Sequence, residues 1–258
     1  AGGHSVRGAR FALAFGAQRG LEAAFAMTNS PSDKLIVALD LPEVPAAQAL
    51  AERLDGAACF FKIGLQLLPI GGMDLAIALK ERGSKIFLDF KFHDIPATVE
   101  KATRTVTRAR ADFLTVHAEP AVMRAAVAGR GDDPFLKILG VTVLTSYDDA
   151  MLTEMGYAYG ARDLVMRRVE QAIACGVDGV IASPHEAAEI KLRFGDAIEV
   201  ITPGVRPTWS SKDDQARVAT PADAIRNGAA HIVVGRPVNA ADDPFAAAMR
   251  IQDEIRGL

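Results

Sequence analysis

Three charged side chains stand close together at the end of a predicted buried strand: Asp89, Lys91 and Asp94 follow the segment 85–88. On a strand, Asp89 and Lys91 are two residues apart and point to the same face. A strand buried on both faces is normally a near-continuous apolar run, and burying an ion is costly unless it has a partner. The alternation of acid, base and acid therefore indicates catalytic chemistry at this strand end. A structural ion pair at the edge of the core is the alternative interpretation.

Eight apolar runs rich in β-branched residues alternate with segments of helical Ala and Leu spacing after Met27. Such alternation indicates parallel strands joined by crossover helices. Eight units in about 230 residues predict an α/β fold, a single-domain (β/α)8 TIM barrel. A doubly wound open sheet is disfavoured because no G-x-G-x-x-G motif follows the first strand. The predicted strands are 35–39, 59–63, 85–88, 113–116, 136–144, 179–182, 199–202 and 231–234, and the predicted helices are 45–54, 73–82, 98–109, 121–128, 161–174, 184–194, 221–227 and 244–255.

The composition excludes several classes of protein. The net charge is −3 and no cluster of Lys and Arg stands out, which argues against a nucleic-acid partner. No run approaches the roughly 20 apolar residues of a membrane span, so no membrane partner is predicted. Cys59 and Cys175 lie in apolar surroundings without metal-ligand spacing. We expect reduced thiols in a cytoplasmic protein.

The first 26 residues differ in composition from the rest of the chain. They are rich in Ala, Gly and Arg and contain no acid before Glu22. A tag remnant, translated upstream sequence and a transit peptide all fit this composition. We expect residues 1–26 to be an extension outside the fold, and residues 27–258 to form the barrel domain.

Polar residues collect at the C-terminal ends of the predicted strands, where TIM barrels carry their working residues. The loops after strands seven and eight frequently bind phosphate in this fold. Gly235 lets backbone N–H groups approach an anion closely, and Arg236 can donate two charge-assisted hydrogen bonds. The loop 204–215 contains Arg206 and is expected to act as a lid that excludes water. Further polar strand ends are Asp40, Lys62, His117 and Thr145.

The segment D-F-K-F-H-D-I-P-A-T, which begins at Asp89, resembles the signature of the orotidine 5′-phosphate decarboxylase family. Other features follow in the family's order across residues 33–255: V-T-V-L-T-S, T-P-G-V-R and G-R-P. Related decarboxylases and aldolases that act on sugar phosphates share the D-x-K-x-x-D core. Those relatives typically carry an acid on strand two that helps to hold Mg2+, whereas this chain has Lys62. The resemblance therefore implies conversion of orotidine 5′-monophosphate to UMP and CO2, with no cofactor and no metal.

The resemblance also implies a role for each matching residue. Lys91 would protonate C6 of the pyrimidine, within a network of alternating charges formed by Lys62, Asp89, Lys91 and Asp94. Asp40 and Lys62 would bind ribose hydroxyls, and Thr145 would bind the pyrimidine. The phosphate end would comprise Arg206, Gln215, Gly235 and Arg236. The chain would form a homodimer in which Asp94, Ile95 and Thr98 reach the neighbouring subunit's site.

Two other functions are weighed against this one. A Mg2+-dependent decarboxylase or aldolase acting on a sugar phosphate would need an acid where Lys62 stands. A non-catalytic phosphate-binding barrel would need the phosphate end, but not the charged set of Asp89, Lys91 and Asp94. His93 and His117 are left out of the catalytic set. We expect His93 to pack beneath the site and His117 to be a hydrogen-bonded structural residue.

Overall fold

In a computed structural model, which describes residues 31–210 and 219–258, eight parallel strands close into a barrel. Each strand pairs with the next along the chain, and the eighth pairs with the first. The strands are β1 (Leu35–Ala38), β2 (Phe60–Gly64), β3 (Lys85–Phe92), β4 (Phe113–His117), β5 (Lys137–Val141), β6 (Gly179–Ile181), β7 (Glu199–Thr202) and β8 (His231–Val234). The predicted (β/α)8 barrel is therefore confirmed. The proposed extension 1–26 lies outside the described residues, so the boundary at residue 27 stays a prediction.

Helices follow the strands at nearly the predicted positions. They are α1 (Val44–Arg53), α2 (Gly72–Glu81), α3 (Pro96–Thr107), α4 (Pro120–Arg130), α5 (Asp149–Glu154), α6 (Ala161–Cys175), α7 (Pro184–Phe194), α8 (Pro221–Arg226), α9 (Arg236–Asn239) and α10 (Pro244–Ile255), with a 3-10 turn at Leu68–Ile70. The sequence did not predict α5, α9 or the 3-10 turn. Each is too short to show a helical hydrophobic period, although Asp148 caps α5 by accepting a hydrogen bond from the Met151 N–H at 2.8 Å.

Two strands differ from their predicted lengths by more than one residue, and both differences shape the mouth of the barrel. β3 continues to Phe92 rather than ending at residue 88, and its pairing with β4 shifts register between Leu88 and Phe92. β5 ends at Val141 rather than residue 144. The Thr142 hydroxyl donates to the carbonyl of Ile181 at 2.8 Å. The residues that follow Thr142 are no longer part of the strand, and Val143, Leu144 and Thr145 line a cavity at the mouth of the barrel.

The barrel interior is filled by side chains from all eight strands, so it is a packed core rather than a channel. This inner cluster includes Ile36, Phe60, Phe87, Phe113, Leu139, Ile201 and Val233. Gly179 makes room for it, because a Cβ atom there would lie 2.8 Å from Leu139 Cδ2. A second cluster of buried side chains lies between the strands and the outer helices. None of the helices in the described part of the chain has the length and apolar character needed to cross a bilayer.

We expect stability to fall at mildly acidic pH because of His231 at the start of β8. Its Nδ1 lies 2.8 Å from the carbonyl oxygen of Asp33, and its ring packs edge-on against Phe113, 5.2 Å between centroids. Burial lowers the pKa of His231 below its usual value, outweighing Asp33 and Glu199, which act to raise it. The folded chain therefore binds fewer protons than the unfolded chain between the lowered pKa and about 6.5, and unfolding free energy decreases as pH falls through this window.

Urea unfolding at several pH values between about 5 and 8 measures this effect. His231→Gln is the matched variant, since its amide can still donate to the Asp33 carbonyl but does not titrate. Its stability should depend less on pH than that of the wild type. Equal pH dependence of the two proteins would show that His231 is not the titrating group.

Candidate active site

Four alternating charges form a continuous chain at the C-terminal mouth of the barrel. Lys62 Nζ lies 2.9 Å from Asp40 Oδ1 and 3.5 Å from Asp89 Oδ2. Lys91 Nζ lies 2.8 Å from Asp89 Oδ1. Two lysines and two aspartates cancel formally, so each ion has the partner that burial demands. We refer to Asp40, Lys62, Asp89 and Lys91 as the charge network.

The strands fix the geometry of the charge network. Lys62 on β2 is only 7% exposed and pairs in register with Ala38 of β1 and Phe87 of β3. Lys91 has a φ of 49°, within the register shift of β3. A non-glycine residue in this left-handed region is strained, and such residues cluster at active sites. The irregular backbone directs the Lys91 ammonium back to Asp89.

Thr115 supports both Asp89 and Lys91, a role that was not predicted from the sequence. Its hydroxyl donates to Asp89 Oδ1 at 2.9 Å, and it accepts from the Lys91 backbone N–H at 3.0 Å. Thr115 is fully buried on β4. A threonine within an apolar β-branched strand looks like any other strand residue, so only the structure identifies it.

Asp89 stays ionised despite its burial. Burial acts to raise the pKa of its carboxyl group, but the charges of Lys62 and Lys91 and the hydrogen bonds from Lys91 and Thr115 outweigh that effect. The net result is a lowered pKa. The ammonium groups of Lys62 and Lys91 therefore both face a negatively charged carboxylate.

Gly64 leaves the space that the Lys62–Asp40 pair occupies. A Cβ atom at this position would lie 3.1 Å from Lys62 Nζ and 3.2 Å from Asp40 Oδ1. We expect Gly64→Ala to lower kcat/KM about ten- to a hundredfold, because small misplacements of catalytic groups are costly. Steady-state kinetics measures this loss. Gly140→Ala is the matched control, since its Cβ would meet Met123 Sδ instead, and equal losses in both variants would refute the specific role of Gly64.

Asp94 lies outside the charge network of its own chain. Because Asp94 is predicted to reach the neighbouring subunit's site, its place beside Lys62, Asp89 and Lys91 stays a prediction. Asp94 is exposed, and its Oδ1 accepts from the Ile95 N–H at 2.6 Å. It forms no ion pair with any residue that the structure describes. The register shift turns the chain outward after Lys91, so Asp94, Ile95 and Thr98 all lie on the surface, with Ile95 67% exposed. Within the single chain, Asp40 is the fourth member of the charge network.

A cleft leads from the charge network across the mouth of the barrel. A cavity of about 190 Å3 beside Lys62, Asp89 and Lys91 is walled by Thr145, Pro203 and apolar side chains. A second cavity of about 240 Å3 is lined by Asp40, Arg206, Gly235 and Arg236. Val233 lines both cavities. The structure thus brings together every predicted substrate-binding residue except Ile95 and Thr98, which lie on the surface, and Gln215, which lies outside the described residues.

The two histidines near the site stack on each other. Their ring centroids are 4.9 Å apart, and the His93 side chain is 59% exposed. The prediction that His93 packs beneath the site is therefore wrong for the single chain, because the register shift of β3 carries it outward. His93 Nε2 lies 3.8 Å from Glu119 Oε2. Burial lowers the pKa of the half-buried His117.

Comparison with known proteins gives one consistent family. Residues 33–251 match the model of the orotidine 5′-phosphate decarboxylase / HUMPS family. An orotidine 5′-phosphate decarboxylase of Caulobacter vibrioides (strain NA1000 / CB15N) is 58% identical over 236 residues, 90% of this chain and 100% of that protein. One from Rhodopseudomonas palustris (strain BisA53) is 53% identical over 225 residues, 87% of this chain and 95% of that protein.

Solved structures agree with the sequence comparisons. The crystal structure of orotidine 5′-phosphate decarboxylase from Lactobacillus acidophilus is 34% identical, with a TM-score of 0.77 over 86% of this chain and 99% of that one. The enzyme from Pyrococcus horikoshii OT3 is 29% identical, with a TM-score of 0.70 over 87% of this chain and 100% of that one. Barrel, charge network and relatives therefore lead to the same conclusion: this chain belongs to the orotidine 5′-phosphate decarboxylase family.

Proposed function

We propose that this chain converts orotidine 5′-monophosphate to UMP and CO2, the last step of pyrimidine nucleotide biosynthesis, at the cleft described above. The observation that carries the proposal is the placement of Lys91, paired to Asp89 at 2.8 Å, at the floor of a cleft whose far end holds Arg206 and Arg236. A nucleotide that bears a carboxylate on its pyrimidine ring and a phosphate on its ribose fits this distribution of charge.

The reaction breaks the bond between C6 and the carboxylate carbon. Both electrons stay on C6 in the plane of the ring, where the π system cannot receive them, and CO2 departs. Catalysis then requires preorganised positive charge near C6 followed by proton transfer. Lys91 supplies both, since its ammonium group is cationic and carries the proton that C6 gains. The resulting amine recovers a proton from solvent.

The remaining residues of the cleft bind and position the nucleotide. Asp40 and Lys62, 2.9 Å apart, would hold ribose hydroxyls. Thr145 lines the cavity beside Lys91 and would bind the pyrimidine. Arg206, Gly235 and Arg236 line the cavity for the phosphate, and Gln215 would join them from the loop that follows Arg206.

Lys62 argues against the Mg2+-dependent alternative on geometric grounds. Its ammonium lies between the carboxylates of Asp40 and Asp89, at 2.9 and 3.5 Å. A divalent cation would need that space and would meet like charge there. The positive group between the two acids is thus part of the chain itself, which supports a reaction that needs neither metal nor cofactor.

Product analysis separates the three candidate functions. We expect UMP and CO2 from orotidine 5′-monophosphate in the presence of EDTA, and no CO2 from phosphorylated keto sugars. A non-catalytic phosphate-binding barrel would show a higher melting temperature with UMP but release no CO2 from the nucleotide. Activity confined to sugar phosphates and dependent on Mg2+ would place the chain among the sugar-phosphate enzymes of its family.

The proposal includes a homodimer with sites at the interface. Asp94, Ile95 and Thr98 lie on the surface at the end of β3, beside the site but turned away from Lys91 of their own chain. An exposed Ile95 next to an exposed Asp94 suits a segment that a second copy covers. A twofold-related copy would then receive Asp94 close to its own charge network.

Mixing two inactive variants tests the shared sites. Lys91→Ala and Asp94→Ala should each lose nearly all activity alone. In an equal mixture that is allowed to exchange subunits, half of the dimers carry one intact site, so activity should recover to about a quarter of wild type. A matched mixture of Lys91→Ala with Asp89→Ala should stay inactive. Each site takes both Asp89 and Lys91 from the same chain, so neither site of a mixed dimer is intact. No recovery in the first mixture, despite demonstrated exchange, would contradict the interface role of Asp94.

A cytoplasmic location is also part of the proposal. Neither Cys59 nor Cys175 forms a disulfide within the described part of the chain, as expected of a chain in a reducing compartment.

A further inference from the structure

A third cavity lies next to the phosphate end of the cleft. It measures about 230 Å3 and shares Arg206 and Arg236 with the phosphate cavity. Its own lining adds Trp209 and Ser210. The two arginines therefore stand between the phosphate cavity and this second space. Contacts on the side of the third cavity are therefore expected to hold the guanidinium groups of Arg206 and Arg236 in position to bind an anion.

Trp209 packs against the C-terminal helix on the far side of this cavity. The guanidinium carbon of Arg250, on α10, lies 4.4 Å from the centroid of the Trp209 ring. A cation within about 6 Å of a tryptophan face is attracted by the ring quadrupole. The ring also packs against the main hydrophobic core, whereas Arg250 is exposed. Trp209 is the only tryptophan in the chain.

The backbone between Arg206 and Trp209 is short and folded on itself. The N–H and the hydroxyl of Ser210 both donate to the Pro207 carbonyl, at 3.1 and 3.0 Å. The Arg206 N–H donates to the Ala219 carbonyl at 3.1 Å. Because these hydrogen bonds restrict the backbone between the two residues, a displacement of Trp209 is expected to move Arg206, three residues before it.

Arg236 is connected to the same helix by a different route. It is the first residue of α9, and α9 packs on α10. Both phosphate-end arginines are thus connected to α10. Arg236 is connected through the packing of α9 on α10, and Arg206 through the contact of Trp209 with Arg250. The spacing between the two guanidinium groups depends on both supports.

We propose that Trp209 and Arg250 form an anchor that positions Arg206 for the phosphate group of the substrate. The two are positioning residues, because neither lines the cavity assigned to the phosphate. This inference rests on the proposed function. Its consequence is selective: the anchor affects only the part of the binding energy that comes from the phosphate, which acts at a distance from the reacting carbon.

Kinetics with two substrates tests the anchor. For Arg250→Ala we expect kcat/KM for orotidine 5′-monophosphate to fall about two- to fivefold, the range that a cation–π contact at an exposed site supports. For orotidine, which lacks the phosphate, kcat/KM should not change. Arg250→Lys keeps a cation over the ring and should restore much of the loss. Arg256→Ala is the matched control, because Arg256 follows the same helix and pairs with Asp253.

Either of two results would overturn the anchor. One is an equal loss with both substrates, which indicates a general structural defect, and the other is no loss with the nucleotide. Tryptophan emission gives a second reading that needs no turnover. The affinity for UMP, titrated by emission, should weaken in Arg250→Ala, while the affinity for uridine should not. If the wild type fails to turn over orotidine 5′-monophosphate, the proposed function fails, and this titration still decides the anchor.

Discussion

Lys91→Ala is expected to lower kcat/KM for orotidine 5′-monophosphate by about 10⁴-fold or more, because one change removes both a proton donor and the nearest positive charge. The structure places the Lys91 ammonium at 2.8 Å from Asp89 Oδ1, and Thr115 holds the backbone N–H of the same lysine. Among the described residues that line the cavity, no other proton donor is held both by an ion pair with Asp89 Oδ1 and by a backbone hydrogen bond to Thr115. The measurement is a comparison of kcat/KM for the purified wild type and variant.

Lys91→Arg is the matched control for this prediction. Arginine keeps the positive charge but hardly ever releases its proton, so it should recover little of the activity. Binding of UMP to Lys91→Ala should persist, which separates a chemical defect from misfolding. Turnover by Lys91→Ala within tenfold of the wild type would remove Lys91 from the role of proton donor.

Arg236→Ala should produce the second large effect, a fall in kcat/KM for the nucleotide of about 10²-fold or more. Arg236 lines the phosphate cavity with Arg206 and Gly235, and loss of one partner from a charge-assisted contact weakens binding strongly. Since phosphate binding lies far from C6, the loss should vanish with orotidine as substrate. We expect added phosphite to activate the wild type toward a truncated substrate that lacks the phosphate, but to do little for Arg236→Ala.

Arg226→Ala provides the comparison for Arg236→Ala. Arg226 is an exposed arginine at the end of α8, where it pairs with Asp223 at 3.3 Å. Its replacement removes the same charge from the chain. Because an exposed ion pair contributes little free energy, kcat/KM should stay within twofold of the wild-type value. A normal kcat/KM for Arg236→Ala would refute its assignment to the phosphate.

The sequence predicted the barrel well because each strand is an apolar run bounded by turn residues. All eight strands appear at or within a few residues of their predicted positions in the part of the chain that the structure describes. The same logic located the site, since parallel strands of a barrel end at one face. Asp40, Lys62, Asp89 and Lys91 come from three separate stretches of sequence, yet their ammonium and carboxylate groups form one chain of contacts.

What the sequence missed depends on local backbone geometry. The left-handed φ of Lys91 and the register shift of β3 have no signature in a run of ordinary residues. They carry His93 outward. The 2.9 Å contact that brings Asp40 to Lys62 was likewise not predicted. Thr115 was missed for a similar reason, because its role depends on hydrogen bonds rather than on residue type. The anchor of Trp209 on Arg250 joins positions about 40 residues apart that no spacing rule connects.

The central claim is decarboxylation of orotidine 5′-monophosphate by the charge network without a metal. The most direct test follows the loss of nucleotide absorbance by the metal-depleted wild type in EDTA. We predict full conversion to UMP at a rate unchanged by added Mg2+. No conversion, or conversion that returns only when Mg2+ is supplied, would contradict the account and favour a sugar-phosphate enzyme of the same family.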